Sequence, residues 1–228
     1  MTGAPRRWED VDGATRRRLD HYAALLLTRN AAFNLTAARS PAAVEEHVRD
    51  SLTLLPYVRD PLIDVGSGGG FPAIPLAIAT GYAVTAVEAV AKKVRFLRAT
   101  AAELGLNLSV VAGRAEEAAR RPDLRARFGS VTARGVGGFA TVLELTVPFL
   151  AIDGLAVLQR GRLADAERTA GADAALMLGA ALVGEYRAIP ESDQRRIVLV
   201  RKVSPTAPRF PRRSGVPAKR PLGGARHG

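Results

Sequence analysis

The chain has 228 residues, of which 47% are hydrophobic and 24% are charged, a composition that excludes a wholly disordered or fibrous protein. It contains no cysteine, which excludes a disulfide framework, a thiolate metal site and a cysteine nucleophile, and we predict no bound metal. The first residues lack the apolar run of a signal peptide, and no stretch approaches about 20 apolar residues. We therefore predict a soluble, cytoplasmic protein without membrane contact.

The net charge of +11 is concentrated near the C-terminus. Ten of the 33 Lys and Arg residues lie within 195–228, which holds no Asp or Glu, so the rest of the chain is nearly neutral. A strongly basic segment attached to a neutral body favours a polyanionic partner. A solubilising, disordered tail has the same composition, and charge alone leaves both interpretations open.

In chain order, the first predicted elements are helices. Residues 6–29 carry apolar residues at helical spacing. A second helix follows Ser40-Pro41, because serine is a good N-cap and proline a good first residue. Beyond residue 61, short apolar runs alternate with helices such as 90–104, which predicts an α/β fold with a parallel sheet that binds ligands at the carboxyl ends of its strands. The runs are 62–65, 83–87, 108–111, 130–133, 155–158 and 197–200.

A glycine-rich loop, residues 66–71, directly follows the first of these runs. Gly68-x-Gly70-x-x-Ala73 satisfies the dinucleotide-binding fingerprint, which is a weak signal when it stands alone. Asp64, however, lies two residues before the loop, where a carboxylate would repel a pyrophosphate. It suits a cationic, amino-acid-bearing ligand such as S-adenosylmethionine. Asp64 therefore favours a methyltransferase over a dehydrogenase, and a turn needed only for packing is the third possibility.

The second apolar run ends at Glu88. A carboxylate at this position can accept hydrogen bonds from both ribose hydroxyls of an adenosine. Such charge-assisted hydrogen bonds contribute about 1.5–3 kcal/mol each. NAD and S-adenosylmethionine share that ribose, so Glu88 does not discriminate between the two cofactors.

Residue types and motifs that the sequence lacks exclude or disfavour some classes of methylation reaction. Without cysteine, methylation of a pyrimidine carbon through a thiolate is excluded, and no Asn/Asp-Pro-Pro-aromatic sequence typical of exocyclic amine methylases occurs. His21, His47 and His227 all lie outside the strand ends. A guanine N7 has a free lone pair and needs no general base, so positioning and desolvation can supply most of the acceleration. We therefore assign no catalytic base.

Further motifs extend over residues 19–222. They are Phe33-Asn34-Leu35-Thr36 with His47-x-x-Asp50-Ser51, Pro72-Ala73-Ile74-Pro75, Lys92-Lys93, Gly113-Arg114-Ala115-Glu116, Ala133-Arg134, and Pro208-Arg209-Phe210-Pro211-Arg212-Arg213-Ser214-Gly215. The motif at 72–75 and the one at 208–215 are far more specific than the glycine loop. Together the motifs resemble the glucose-inhibited division protein B (RsmG-type) family of S-adenosylmethionine-dependent 16S ribosomal RNA guanine-N7 methyltransferases.

The resemblance implies a class I (Rossmann-like) methyltransferase fold with a seven-stranded sheet. It implies an N-terminal helical cap (1–60), an S-adenosylmethionine-dependent methyltransferase domain (61–203) and a basic, Pro-rich, flexible C-terminal extension (204–228). The implied reaction transfers a methyl group from S-adenosylmethionine to N7 of a guanine in the 530 loop of 16S ribosomal RNA. The implied partner is that RNA or a small-subunit ribosomal particle.

The resemblance also implies three sets of site residues. Arg134 and Arg196 are candidates for positioning the acceptor, and Asn34 is a weaker candidate for the RNA side. Residues expected at the cofactor are Asp64, Gly66, Gly68, Phe71, Glu88, Ala115, Glu116 and Arg134. Residues expected at the RNA are Lys92, Lys93, Arg114, Arg160, Arg196, Arg212 and Arg213.

The chain departs from the family pattern at three places. Gly135 stands where the family has Ala after the arginine, Gln159-Arg160 stands where it has Leu-Lys, and Gly69 replaces Ala or Pro. These departures leave the cofactor site intact and bear on the acceptor side. A diverged small-molecule methyltransferase and a non-catalytic RNA-binding assembly factor that keeps the fold are therefore alternative functions.

Overall fold

A computed structural model describes residues 10–188 and 194–223. The strands are β1 (Leu62–Val65), β2 (Val84–Glu88), β3 (Leu108–Ala112), β4 (Phe128–Arg134), β5 (Leu150–Gly161), β6 (Ala180–Arg187) and β7 (Arg195–Lys202). The helices are α1 (Gly13–Phe33), α2 (Pro41–Leu52), α3 (Ala73–Thr80), α4 (Ala91–Glu103), α5 (Ala115–Ala118), α6 (Phe139–Thr146), α7 (Asp165–Met177) and α8 (Val216–Lys219).

The strands form one sheet in the order β3-β2-β1-β4-β5-β7-β6, which confirms the predicted seven-stranded sheet. β1 to β5 pair in parallel, and β7 runs antiparallel between β5 and β6. The six apolar runs of the sequence correspond to β1–β5 and β7. β6 has no such run, because it lies at the edge of the sheet and its register shifts between Leu182 and Gly184.

Each face of the sheet is covered by helices because alternate strand residues point to opposite sides. One apolar cluster joins α1–α4 to residues such as Leu62 and Val157. A second apolar cluster joins α6, α7 and the C-terminal segment, residues 203–223, to strand residues such as Ile63 and Ala156. Asp64 has the parity of Leu62 and therefore lies on the α1–α4 side of the sheet.

The first two helices start and end at identifiable caps. Asp12 accepts a hydrogen bond from the Thr15 amide at the start of α1, so the helix begins later than the predicted residue 6. It runs past the predicted residue 29 and ends at Asn34, which adopts a left-handed conformation. This capping position accounts for Asn34 without RNA. The predicted cap of α2 is confirmed, since Ser40 accepts from the Ala43 amide.

Residues 203–223 pack against the second face of the sheet. Phe210 is buried, and Arg125 donates a 2.8 Å hydrogen bond to its carbonyl oxygen. The Arg212 side chain donates three hydrogen bonds to Glu144 of α6, from Nε to Oε1 at 2.9 Å, from Nε to Oε2 at 3.0 Å and from Nη2 to Oε2 at 2.6 Å. The expectation of a flexible extension is therefore corrected for this segment, because apolar and ionic contacts that charge counting does not show anchor it. Residues 224–228 lie outside the described part of the chain.

Candidate functional site

The carboxyl ends of the parallel strands meet at one edge of the sheet, where β1 and β4 are neighbours and the strand order reverses. Open α/β sheets bind ligands at such a switch point. The loops after β1, β2 and β3 lie on one side of this point, and the loops after β4 and β5 lie on the other. This edge contains most of the residues that the sequence predicted for the cofactor.

Glu88 fastens the glycine loop to the end of β2. Its Oε2 accepts a 2.8 Å hydrogen bond from the Gly68 amide, and its Oε1 accepts one of 2.8 Å from the Val90 amide. Each carboxylate oxygen has two lone pairs, so both can accept a further hydrogen bond from a ligand. Glu88 therefore shapes the loop and still presents acceptor capacity at the site.

Gly70 and Gly69, adjacent in the loop, tolerate a side chain very differently. Gly70 has φ +105°, and a Cβ there would lie 2.6 Å from Ile74 Cδ1 and 2.9 Å from Tyr22 Oη. We expect Gly70→Ala to lower the free energy of unfolding by about 2–4 kcal/mol, from backbone strain and overpacking together. Gly69→Ala is the control, since its Cβ would make only ordinary contacts of 3.4–3.6 Å. Equal urea midpoints for the two variants would contradict this prediction.

Asp64 is a buried carboxylate, and one of its two carboxylate oxygens has no hydrogen-bond partner among the described residues. Thr132 Oγ1 donates a 2.7 Å hydrogen bond to its Oδ1, and Ser67 Oγ lies 3.2 Å from its main-chain oxygen. Its Oδ2 is buried and has no hydrogen-bond partner among the described residues. Burial raises the pKa of Asp64 to about 6, although its bonds to Ser67 and Thr132 and the charge of Arg134 oppose the rise.

A first cavity opens between the loops after β1, β2 and β3. It includes four of the predicted cofactor residues, Gly66, Glu88, Ala115 and Glu116, and the C-terminal segment contributes Ala218 to its wall. Glu116 is buried, and its Oε1 accepts a 2.8 Å hydrogen bond from the Gly215 amide. Glu116 therefore ties the C-terminal segment to this cavity.

Arg134, at the end of β4, lies beside a second cavity with a different chemical character. Its guanidinium lies 5.2 Å from the centroid of the Phe71 ring, and its Nη1 is 3.2 Å from Asp50 Oδ2 and 3.3 Å from His47 Nδ1. Burial and the charge of Arg134 lower the pKa of His47. Of the predicted cofactor residues, Phe71 and Arg134 thus belong to this cluster, and neither lines the first cavity.

The second cavity is lined by charged and polar side chains from α2, β4, β5 and β7: Asp50, Arg134, Gln159, Arg160, Arg195 and Arg196. Gln159 Nε2 donates a 2.6 Å hydrogen bond to the main-chain oxygen of Asp50. Gln159 Oε1 and Arg160 Nε are buried without a partner among the described residues. This cavity therefore offers both an acceptor and a donor to a ligand.

Three residues of this second cluster were not predicted as site residues: His47, Asp50 and Arg195. The His47-x-x-Asp50 spacing was a usable signal, because residues three apart share one face of a helix. The approach of Arg195, whose Nη1 lies 3.5 Å from Asp50 Oδ1, depends on the antiparallel return of β7 and has no signal in the spacing.

The predicted RNA-binding residues are distributed over several places. Arg160 and Arg196 line the second cavity, and Glu167 and Glu185 respectively neutralise part of their charge. Arg114 is exposed beside the first cavity. The others are Lys92 and Lys93 at the start of α4 and Arg212 and Arg213 in the C-terminal segment.

Arg212 and Arg213 differ sharply in their surroundings. Arg212 is engaged by Glu144 and by the Arg220 carbonyl oxygen, whereas Arg213 is exposed. The Arg212 guanidinium therefore holds the C-terminal segment to α6. RNA contacts of Arg212 and Arg213 stay predictions.

The departures from the family pattern are accommodated locally. Gly135 has φ +66°, and no atom lies within 4 Å of the place a Cβ would take. The loop 135–137 separates the two cavities, since Gly135 and Gly137 line the second and Val136 lines the first. Gly135 therefore leaves open space beside Arg134 on the acceptor side.

Within residues 10–188 and 194–223, none of the helices has the length and apolar character needed to cross a bilayer. In the same residues, no three His, Asp or Glu side chains are grouped in a way that could hold a metal ion.

The strand order, with an antiparallel β7 inserted before β6, defines a class I methyltransferase fold. An O-methyltransferase from Bacillus cereus in complex with SAH aligns with a TM-score of 0.55 and 18% identity, over 80% of this chain and 91% of that chain. At this identity the likeness establishes the fold alone.

Sequence comparison is more specific. The family model for rRNA small subunit methyltransferase G (GidB) matches residues 15–197. A ribosomal RNA small subunit methyltransferase G from Deinococcus deserti is 42% identical over 216 residues, covering 90% of this chain and 88% of the relative. One from Sorangium cellulosum is 42% identical over 211 residues, covering 89% and 86%. The chain belongs to the rRNA small subunit methyltransferase G family, which confirms the resemblance seen in the sequence.

Proposed function

We propose that this protein transfers a methyl group from S-adenosylmethionine to N7 of a guanine in the 530 loop of 16S ribosomal RNA. Membership of the rRNA small subunit methyltransferase G family supports a methyl transfer to small-subunit RNA. In this proposal the first cavity binds the cofactor and the second cavity binds the acceptor guanine. The partner in this proposal is 16S RNA or a small-subunit particle in the cytoplasm.

The first cavity, together with the adjoining Asp64, carries the polar groups that S-adenosylmethionine needs. Asp64 directly precedes Val65 and Gly66 of the cavity wall, and its partnerless Oδ2 is a buried acceptor suited to an ammonium group. Glu88 presents its remaining lone pairs to the ribose hydroxyls, and Ala115 and Glu116 form the wall where adenine would lie. When bound, the cofactor supplies a methyl group on a sulfonium. Because the pKa of Asp64 is about 6, its carboxylate is ionised at neutral pH and can bind an ammonium.

The second cavity fits the edges of a guanine. Guanine N1–H and the N2 amino group are donors, and Asp50 and Gln159 Oε1 are acceptors that line this cavity. Guanine O6 is an acceptor, and Arg134 and Arg160 carry donors that line the same cavity, which leaves the N7 lone pair free to react. The observation that carries the proposal is this acceptor-and-donor cavity, separated from the cofactor cavity only by the loop 135–137.

The chain's residues act by positioning in this reaction. The N7 lone pair forms the new bond to carbon as the bond from carbon to sulfur breaks, and no proton leaves the purine. A general base is therefore not required, and the lowered pKa of His47 keeps this side chain neutral at neutral pH. The product guanine is cationic, and Asp50 places a carboxylate in the lining of the cavity proposed for it. Arg134, held by Asp50 and Phe71, orients the acceptor.

The decisive experiment is a methylation assay with purified protein and small subunits from a strain that lacks its gene. N7-methylguanine is detected by reduction with borohydride and cleavage with aniline, followed by primer extension. We expect one cleavage site in the 530 loop, lost in Arg134→Ala. Methylation confined to a small molecule, with the RNA of the deletion strain unchanged, would favour the diverged small-molecule enzyme. A wild-type protein with no calorimetric affinity for S-adenosylmethionine would favour the assembly factor.

Glu88 provides a separate test of the cofactor site. We expect Glu88→Ala to weaken S-adenosylmethionine binding by about 1.5–3 kcal/mol, because one charge-assisted hydrogen bond to the ribose is lost. Calorimetry measures the affinity. Thermal unfolding measures how much stability is lost when the Gly68 and Val90 amides no longer have Glu88 as their hydrogen-bond acceptor. Glu117→Ala is the control, since Glu117 is exposed and outside the cavity. An affinity equal to that of wild type would remove Glu88 from the proposed site.

A further inference from the structure

A third groove lies outside the two cavities, between α1 and α4. Its volume is about 230 Å³. Leu25, Arg29 and Phe33 line it from α1. Lys92, Arg95, Phe96, Ala99, Thr100 and Glu103 line it from α4. Its walls combine apolar side chains with three cations, which is a different chemistry from either cavity at the switch point.

The groove opens toward the same edge of the sheet as the proposed active site. Arg18 donates a 2.9 Å hydrogen bond to the Leu104 carbonyl oxygen, and His21 lies 3.6 Å from Glu103, so α1 and α4 run antiparallel. Phe33 and Lys92 therefore lie at the opposite end, where α4 starts just after Glu88. There the chain after α1 packs against the glycine loop, since a Cβ at Gly69 would lie 3.5 Å from Thr36 Cβ.

Phe33 is the unusual apolar residue of this groove. Its side chain is 47% exposed, although it lies at the end of a helix whose other large apolar residues are mostly covered. Phe96, on the facing helix, is buried and forms part of the groove wall. An exposed aromatic face beside an apolar wall is suited to stacking with a planar ring.

Three cations surround this aromatic face. Within the described residues, none of Arg29, Lys92 and Arg95 forms an ion pair, and the one acidic residue of the groove, Glu103, lies at its far end beside His21. Unpaired cations around an aromatic ring complement a ligand that has both a planar base and phosphates. A purely apolar partner would offer no counter-charge to these three cations.

We propose that the α1–α4 groove binds an unpaired nucleotide of the RNA substrate, outside the acceptor cavity. The base stacks on Phe33, and Arg29, Lys92 and Arg95 contact the adjoining phosphates. This inference rests on the proposed function for the identity of the RNA. It adds a second point of attachment, which fixes the register of the strand whose guanine enters the acceptor cavity.

The test measures RNA affinity and methylation separately. Fluorescence anisotropy with a labelled 530-loop RNA gives affinity even without turnover, and the methylation assay gives KM and kcat. We expect Phe33→Ala to weaken RNA binding about tenfold, since stacking on one base is lost, and to raise KM with little change in kcat. Phe33→Tyr keeps the ring and is expected to bind like wild type.

Two charge-reversal variants test the phosphate contacts. We expect Arg29→Glu to weaken RNA binding and to reduce the slope of log affinity against log salt by about 0.7, the share of one phosphate contact on a single strand. Arg127→Glu makes the same charge change on an exposed residue at the opposite edge of the sheet, next to the start of β4, and is expected to keep the slope.

The possible results separate this inference from the proposed function. Weaker RNA binding in Phe33→Ala and Arg29→Glu, with recovery in Phe33→Tyr, supports the groove even if the methylated base is not a guanine N7. If both variants bind RNA like wild type, the groove inference is wrong, whether or not the protein methylates the 530 loop. Equal losses in Arg29→Glu and Arg127→Glu would also overturn it, because they would reflect net charge alone.

Discussion

Arg212→Ala is expected to lower the free energy of unfolding by about 3–5 kcal/mol, because it leaves a buried carboxylate without its counter-ion. Glu144 is 0% exposed, and Arg212, whose side chain is 27% exposed, donates three charged hydrogen bonds to it. The Arg212 amide donates a further 2.7 Å hydrogen bond to Glu144 Oε1, which the variant can keep only if the segment stays in place. Urea unfolding monitored by circular dichroism measures the effect.

Arg213→Ala is the matched control, since it removes the same side chain from the next, exposed position. We expect its stability to change by less than about 0.5 kcal/mol. If Arg213 serves RNA as predicted, its loss instead reduces the salt dependence of RNA binding. Equal stability of the two variants would show that the Arg212–Glu144 pair does not hold the C-terminal segment.

Asp64→Asn is expected to stabilise the fold at pH 8 by about 1–2 kcal/mol while weakening S-adenosylmethionine binding at least tenfold. With a folded-state pKa of about 6 and an ordinary value of 3.8, ionisation of Asp64 costs the folded state about 3 kcal/mol. The amide can still accept from Thr132 but buries an unpartnered N–H, which offsets part of the gain. The cofactor loses its buried anionic acceptor, so the two effects have opposite signs.

The pH dependence of stability checks the cause. Between about pH 4 and pH 6 the folded state binds more protons at Asp64 than the unfolded state, so this group lowers the free energy of unfolding as pH rises through that window. Asp64→Asn is expected to lack this decrease. Asp173→Asn, on the exposed side of α7, is expected to keep it. Parallel pH profiles for wild type and Asp64→Asn would contradict the assignment.

The fold was largely predictable because the buried parallel strands form uninterrupted apolar runs, a local property of the sequence. Helix ends were less accurate, since they depend on caps such as Asp12 and Asn34. The strand β6 was missed as a run because Gly184 and the open edge of the sheet interrupt its pattern. Its place in a seven-stranded sheet came only from the family resemblance.

Half of the candidate site was predictable for the same reason. Asp64, Gly66 and Glu88 follow directly from strand ends, whereas the acceptor cluster joins Asp50 of α2 to Arg195 of β7, which lie far apart in the sequence. The ion pair of Arg212 with Glu144 was not predicted, because composition does not show which basic residue has a buried partner. A signal did exist, since Glu144 is the single charged residue in the helix FATVLELT.

The hydrogen bond from the Gly215 amide to Glu116 has a consequence for synthesis of the protein. The walls of the first cavity extend in sequence from Val65, at the end of the first strand, to Ala218 in α8. During synthesis, all seven strands are therefore made before the residues that complete the first cavity. Premature termination after β7 would leave all strands of the sheet but a first cavity without the wall that Ala218 provides.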